Sequence, residues 1–290
     1  MKNPLLSDLT ACLALISDTS ALDASVLIAH VINKPRSWVM AHHELTLTTS
    51  QQKHLDDSLM RLKGGEPFPY ILGHWEFFGL QFDVTSDTLI PRPETELLVE
   101  KAITWLQRHP AKRSVADVGT GSGAIAVSVA VNVPDVKILA TDISPKALQV
   151  AKRNAEKLGV SDRIKFAECD LLPHLFAPLP PGEGLGVREI DLLCANLPYI
   201  PTSTLHGLPI YNREPTLALD GGEDGLNPFR KLLYISPQWL APDGMMLFEI
   251  ESTHGSKATS FARAAFPKAR ISLHQDLARK DRLLKIDLSR

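Results

Sequence analysis

The sequence predicts an α/β protein: a doubly wound, mostly parallel sheet closed by a C-terminal antiparallel hairpin and preceded by a small helical domain. Three observations carry that expectation. Apolar residues recur at helical spacing over residues 5–62, a stretch rich in Gly, Pro and aromatics follows, and from residue 114 strand-like and helix-like patterns alternate. Alternation of that kind implies parallel strands with helices on both faces.

In the first segment Leu22, Val26, Leu27, Ala29, His30 and Val31 fall on one helical face, with Asp23 near the positive helix end and Pro35 as the stop. Residues 1–63 are therefore expected to form a helical domain. Residues 64–93 read as a linker with a hairpin, from Gly64-Gly65-Glu66-Pro67 through Trp75-Glu76-Phe77-Phe78-Gly79-Leu80-Gln81-Phe82. The remainder, 94–290, is expected to be the wound α/β domain. It begins with a helix over 94–108 opened by Pro91-Arg92-Pro93. Strands follow at 114–118, 137–141, 164–168, 190–195 and 244–250, with helices at 123–131, 145–158 and 228–240. Two last strands, 269–274 and 283–287, make a hairpin at the sheet edge and bring the count to seven. The Pro/Gly-rich segment 178–186 fits no element and is expected to be a mobile surface loop.

Composition narrows the function classes. The chain has 290 residues, 44% of them hydrophobic, which suits a globular core. No window approaches the roughly 20 apolar residues of a membrane span, and no signal-type block follows Met1, so a cytoplasmic protein with no membrane contact is expected. Three scattered cysteines, Cys12, Cys169 and Cys194, lack metal-ligand spacing and read as reduced and mostly buried, with no metal site. A net charge of -2 argues against a general nucleic-acid binder. The late basic cluster Arg279, Lys280, Arg282 and Lys285 reads as a solvated face.

At the junction of the first strand and helix of the wound unit stands Asp117-Val118-Gly119-Thr120-Gly121-Ser122-Gly123-Ala124. Glycines there let backbone approach a ligand at the carboxyl ends of the strands. The spacing also satisfies a dinucleotide fingerprint, but Asp117 before the first glycine would repel a pyrophosphate and suits an amino group. Asp142, about twenty residues on and followed by Ile143, is placed to accept two ribose hydroxyls, each bond worth roughly 1.5–3 kcal/mol; the alternative is a cap on the helix led by Ser144-Pro145. Asp170 closes the third strand, able to accept from an adenine amino group while Leu171 packs on the ring, or else to cap a helix. Three acids on successive strand ends favour S-adenosylmethionine over a nicotinamide. The next strand ends in Asn196-Leu197-Pro198-Tyr199, whose amide, backbone carbonyl and flat ring suit an NH2 group on a π-system, or else a turn.

With these residues in place the sequence resembles the HemK/PrmC family of protein-glutamine methyltransferases across nearly its whole length. The resemblance rests on Gly64-Gly65-Glu66-Pro67-x-x-Tyr70-Ile71-x-Gly73, Phe77-Phe78-Gly79-Leu80, Leu89-Ile90-Pro91-Arg92-Pro93-Glu94-Thr95-Glu96, the Gly loop and Asn196-x-Pro198-Tyr199-Ile200. Glu214-Pro215 and Ala218-Leu219-x-Gly221-Gly222-x-Asp224-Gly225 complete it. It implies a class I S-adenosylmethionine-dependent methyltransferase with a Rossmann-like sheet, acting on the glutamine of the Gly-Gly-Gln loop of peptide chain release factors in translation termination. It also implies that the helical domain holds that protein substrate. Two departures stand out: Leu197 replaces the first proline of Asn-Pro-Pro-Tyr, and Glu251 stands where the family tends to have glycine, leaving the backbone after the fifth strand open. The segment before Ile190 also looks longer than the family norm.

A glutamine amide is a poor nucleophile, so positioning must supply most of the catalysis. Asn196 Oδ1 and the Leu197 carbonyl are expected to accept the two amide hydrogens, with Pro198 and Tyr199 walling the amide in. Arg92 and Glu94 are expected either to touch the substrate loop or to form a structural Arg–Glu pair. Two alternatives remain: an amino-methyltransferase acting on a nucleic-acid base, which Asn-x-Pro-Tyr also serves, and a non-catalytic binding protein. A monomer is expected.

Overall fold

Two folding units, Met1–Gly73 and His74–Arg290, divide the chain. The structure, a computed structural model, describes residues 4–14, 19–173 and 189–289. The predicted loop at 178–186 lies outside the described residues.

The first unit is helical: α1 (Pro4–Leu13), α2 (Ser20–Ile32), α3 (Arg36–Ala41), α4 (Thr49–Lys63) and α5 (Phe68–Leu72). Helix α2 buries Ala24, Leu27, Ile28 and Val31, the i, i+3, i+4, i+7 stripe of an amphipathic helix. It ends earlier than Pro35 requires, because Asn33 takes a left-handed conformation and caps the last turn, and Pro35 instead opens α3. A reciprocal capping box starts α4: Thr48 Oγ1 accepts from Gln51 N–H, and Gln51 Oε1 accepts from Thr48 N–H.

The second unit begins with a hairpin, β1 (His74–Phe77) and β2 (Leu80–Asp83), paired from His74↔Asp83 to Phe77↔Leu80. Both residues of its two-residue turn have positive φ, 52° at Phe78 and 70° at Gly79, as a turn matching the strand twist requires. Glu96 Oε1 accepts the Phe78 N–H at 2.8 Å and steadies that unusual Phe. After a 3-10 turn at Pro93–Thr95 come α6 (Glu96–Arg108), β3 (Ser114–Val118), α7 (Ala124–Asn132), β4 (Lys137–Asp142) and α8 (Pro145–Lys157). The chain continues through β5 (Ile164–Glu168), β6 (Ile190–Ala195), α9 (Thr202–Leu205), α10 (Asn227–Ile235), β7 (Leu240–Glu249), α11 (Gly255–Ala265), β8 (Arg270–Gln275) and β9 (Asp281–Asp287).

The seven strands lie in the order β5-β4-β3-β6-β7-β9-β8; all pairs are parallel except those made by β9. The winding reverses between β3 and β6, so their carboxyl ends flank the switch point where such sheets bind ligands. One apolar cluster joins α6, α7 and the hairpin (Phe77, Leu98, Leu106, Val127), and a second gathers α10 and α11 (Leu197, Phe229, Phe248, Ala258). Helix α10 stops before the expected 240, since Pro237 in the turn Ser236–Gln238 lacks the N–H a helix needs. Helix α11 lies outside the expected elements; its buried face, Gly255, Ala258 and Ala262, is made of small residues that give a weak apolar signal in sequence. Of the three cysteines only Cys194 is buried; Cys12 and Cys169 are half-buried. Among the described residues no helix is long and apolar enough to cross a membrane, and no cluster of His, Cys, Asp or Glu could hold a metal ion.

Candidate active site

The Gly loop leaves β3 and is tied at once to β4: Gly119 and Thr120 N–H both donate to the Thr141 carbonyl, at 2.9 and 2.8 Å. Two of its glycines are required by crowding. A β-carbon on Gly119 would press on Leu197 Cδ2 at 3.3 Å, and one on Gly123 would meet Ala151 at 3.1 Å, where α7 approaches α8; both residues also have positive φ. Asn154 of α8 extends this brace, donating to the Ser122 carbonyl (2.8 Å) and the Asp83 carbonyl (3.0 Å) and so linking the loop to the hairpin.

Asp117 lies fully buried beneath the loop. Its Oδ2 accepts from Thr120 Oγ1 (2.6 Å) and Ala126 N–H (3.0 Å), while Oδ1 has no partner among the described residues. Burial pushes this carboxyl up to about 6, against the pull of those hydrogen bonds. Asp142 ends β4 at the surface of the cleft and accepts Gly121 N–H and Ser144 N–H, each at 2.9 Å. It does not cap α8; Ser144 does, through Ala147 N–H at 3.2 Å. Asp142 too is raised by burial. Among the described residues Asp170 caps no helix: it sits exposed in a bend, 3.9 Å from Lys231 Nζ. Leu171 beside it has φ 65°, a strained value for a branched residue, with its carbonyl held by Thr141 Oγ1 at 2.5 Å.

A cavity of about 200 Å³ opens over these strand ends, lined among others by Gly119, Gly121, Asp142, Ile143, Leu171 and Asn196. Leu197, Pro198 and Asp170 also line it. Ile143 is 48% exposed, an apolar wall beside a carboxylate. Asp117, Thr120, Ser122 and Gly123 are buried behind that lining and shape the loop from within.

Asn196 stands at the end of β6 within a buried chain of hydrogen bonds. Its Nδ2 donates to Thr95 Oγ1 (3.1 Å), Thr95 Oγ1 donates to Glu249 Oε2 (2.6 Å), and Tyr199 Oη donates to Glu249 Oε1 (3.3 Å). Burial pushes Glu249 up to about 7; the Thr95 hydrogen bond, the Arg282 charge and the Tyr199 hydrogen bond oppose that rise, and Glu94 adds to it. Burial also raises the Tyr199 phenol, so it keeps its proton at neutral pH. Tyr199 does not line the cavity that Asn196 faces; it lines a small neighbouring one with Phe229, Glu249 and His254.

Two long-range contacts hold the loops around the cleft. Glu214, buried, forms an ion pair with Arg92 and accepts Ile90 N–H at 3.1 Å. The Arg92 partner is thus Glu214, not Glu94. The segment after Tyr199 is laced to the 219–225 turn by Ile200 N–H to Leu219 O (3.0 Å) and Gly221 N–H to Ile200 O (2.8 Å). A β-carbon on Gly225 would collide with the Tyr199 carbonyl, which explains that glycine. Glu251 has φ -68° and caps the turn Ser252–His254 by accepting Thr253 N–H, so the backbone there needs no glycine.

Thr95, Glu214 and Glu249 were not singled out as site residues from sequence. Thr95 and Glu214 appear in the sequence only within the family motifs; Glu249 carries a local signal, since it closes the apolar run Met245-Met246-Leu247-Phe248, an acid at the end of a buried strand as Asp117 and Asp142 are.

A doubly wound sheet in this order, with a Gly loop after its first strand and a cleft at the switch point, defines a class I methyltransferase. The methyltransferase domain family matches residues 110–196, and the PrmC N-terminal domain family matches residues 5–73. The chain belongs to the release factor glutamine methyltransferase family. It is 41% identical over 262 residues to the enzyme of that name from Moorella thermoacetica, covering 90% of this chain and 89% of that one. The Coxiella burnetii enzyme of the same name is 36% identical over 274 residues, covering 94% and 93%. A solved methyltransferase from Pyrococcus furiosus shares the fold with a TM-score of 0.52 at 14% identity, over 84% of this chain and 100% of that one.

Proposed function

We propose that this chain transfers a methyl group from S-adenosylmethionine to the side-chain amide nitrogen of a glutamine, the one in the Gly-Gly-Gln motif of peptide chain release factors. The observation that carries the reading is Asn196. It lines the cleft at the switch point, and its NH2 end is already committed to Thr95, which leaves its carbonyl end to accept from an incoming amide. Family membership supports the release factor as the protein substrate, in a cytoplasmic role in translation termination. The helical unit is the part that holds this substrate.

The residues around the cavity suit the cofactor. Asp142 keeps acceptor capacity beyond its two backbone bonds, Ile143 with Leu171 offers an apolar wall to a flat ring, and Asp117, buried behind the lining, holds the Gly loop in shape through Thr120 and Ala126. When bound, S-adenosylmethionine supplies an electrophilic methyl group on a sulfonium. Everything else falls to the chain. Asn196 Oδ1 and the Leu197 carbonyl accept the two hydrogens of the glutamine amide, holding its nitrogen in line for attack. Pro198 closes one side against water. No base is required beforehand, since the proton leaves to solvent once the nitrogen has become tetrahedral.

The test supplies the full chain with tritiated cofactor and either release factor or nucleic acid, then maps the product by mass spectrometry. One added methyl group on the Gly-Gly-Gln peptide is expected. Label in the nucleic acid, with none in the release factor, would replace this reading by the base-methylating one.

A further inference from the structure

We infer that Glu249, acting through the Thr95 hydroxyl, is a positioning residue that dictates which end of the Asn196 side-chain amide faces the acceptor pocket. The inference rests on the proposed role of Asn196 as the acceptor clamp.

An asparagine amide is nearly symmetric in shape, and its two orientations differ only in where hydrogen bonds fall. The distinction matters here. A carbonyl aimed at the pocket accepts from a substrate NH2, whereas an NH2 aimed there meets another NH2 with nothing to accept. Thr95 decides between them. A hydroxyl has a single hydrogen, and that of Thr95 is given to Glu249 Oε2 at 2.6 Å. Only lone pairs remain on Thr95 Oγ1 for Asn196, so the contact at 3.1 Å requires an Asn196 N–H.

The direction of the relay comes from the carboxylate. An ionised Glu249 is acceptor-only, and both its oxygens are met by hydroxyl donors, Thr95 on Oε2 and Tyr199 on Oε1. A proton placed on Oε2 would turn that oxygen into a donor toward Thr95. The Thr95 hydrogen would then be free to point at Asn196 and favour the reversed amide. Charged groups facing this carboxyl are Arg282 on β9, which favours the ionised form, and Glu94 before α6, which opposes it; Arg92 and Arg282 act on the partner Tyr199. None of Thr95, Glu249 or Tyr199 lines the cavity holding Asn196, so their effect reaches substrate only through the clamp.

The test compares Thr95→Val, which keeps shape and loses the hydroxyl, with Thr95→Ser, which keeps the hydroxyl, and with Glu249→Gln. Methylation of release factor by Thr95→Val is expected to fall about tenfold in kcat, the worth of one lost hydrogen bond. Its KM for release factor and its affinity for S-adenosylhomocysteine should stay within about twofold of wild type. Thr95→Ser should restore the rate. Glu249→Gln, with one donor and one acceptor end, should lower kcat and abolish the loss of rate expected of wild type as pH falls through about 7. A second readout needs no turnover: in NMR spectra of the 15N-labelled protein, the Asn196 side-chain amide signals should titrate around pH 7 in wild type and not in Thr95→Val. A Thr95→Ser variant as slow as Thr95→Val, or Asn196 signals indifferent to pH in wild type, would overturn the inference. Failure to methylate release factor with those signals still titrating would instead sink the substrate assignment and leave the relay standing.

Discussion

Asp117 and Glu249 are both buried acids at strand ends of one sheet, yet donors three and nine residues away hold the first, whereas hydroxyls 154 and 50 residues away hold the second. The cofactor end of the cleft is thus assembled from one strand-loop-helix unit and its neighbouring strand. The acceptor end is assembled from the turn before α6, the loop after β6 and the end of β7. A locally built site is in place once its supersecondary unit forms. One built from distant elements depends on how the whole sheet and its covering helices settle, so damage at a distance should reach Asn196 sooner than the Gly loop.

The sharpest way to separate the two ends is to remove one key group from each. Asn196→Ala should lower turnover by roughly 10² to 10³, as expected for loss of one preorganised polar group, with S-adenosylhomocysteine affinity nearly intact by calorimetry. Equal losses in both quantities would mean that the two ends are not separable.

Asp117→Asn should do the reverse. Losing the charge that anchors the Gly loop at Thr120 and Ala126 should loosen that loop and weaken cofactor binding by about tenfold. Thermal melting at neutral pH should meanwhile move upward, since the variant removes a carboxylate buried with one oxygen unpaired. A lower melting temperature would show that the Thr120 and Ala126 hydrogen bonds outweigh the cost of burying the charge.

Acidification gives a smaller effect with a definite sign at both ends. Burial raises Asp117 to about 6 and Glu249 to about 7, above their ordinary carboxylate values. An acid raised on folding stabilises the native state at low pH, and that contribution fades as pH rises through the folded value. Each group therefore costs on the order of 3 kcal/mol at neutral pH. Activity runs the other way, because the ionised forms hold the Gly loop and orient Asn196. Between pH 8 and 6, then, turnover should fall while the denaturant midpoint rises, and the combined Asp117→Asn, Glu249→Gln variant should flatten the stability curve. Parallel falls in activity and stability would assign the acid loss to unfolding instead.

The same contrast explains how much could be read from the chain. The strand-helix alternation, the Gly loop, Asp142 and Asn196 all announce themselves within a few residues, because their chemistry depends on local backbone geometry and strand-end position. Thr95 does not, and Glu249 shows only that an acid ends a buried strand, since nothing in either neighbourhood shows that a turn before α6 and the end of β7 meet behind Asn196. Arg92 makes the point from a near miss: of the two expectations for it, substrate contact or pairing with Glu94 two residues on, the fold realises a pair, but with Glu214, 122 residues away. Among the elements overlooked, α11 buries a face of small residues, Gly255, Ala258 and Ala262, and α5 and α9 are too short to show a period.

Leu197 is where the two ends touch, and it gives the smallest predicted effect. Its side chain is buried and its Cδ2 occupies the space that a β-carbon on Gly119 would press against, so the acceptor loop rests on the cofactor loop through this residue. Replacing it with the proline of the family pattern removes part of that contact and stiffens the backbone before Pro198. The first change loosens the junction and the second tightens it. The role assigned to this position uses only its carbonyl, which proline also supplies. Leu197→Pro should therefore change turnover by no more than about threefold and stability by about 1 kcal/mol, measured by steady-state methylation and by chemical denaturation. A loss approaching that of Asn196→Ala would mean that the leucine side chain, by seating one loop on the other, sets the distance between the bound cofactor and the clamped amide.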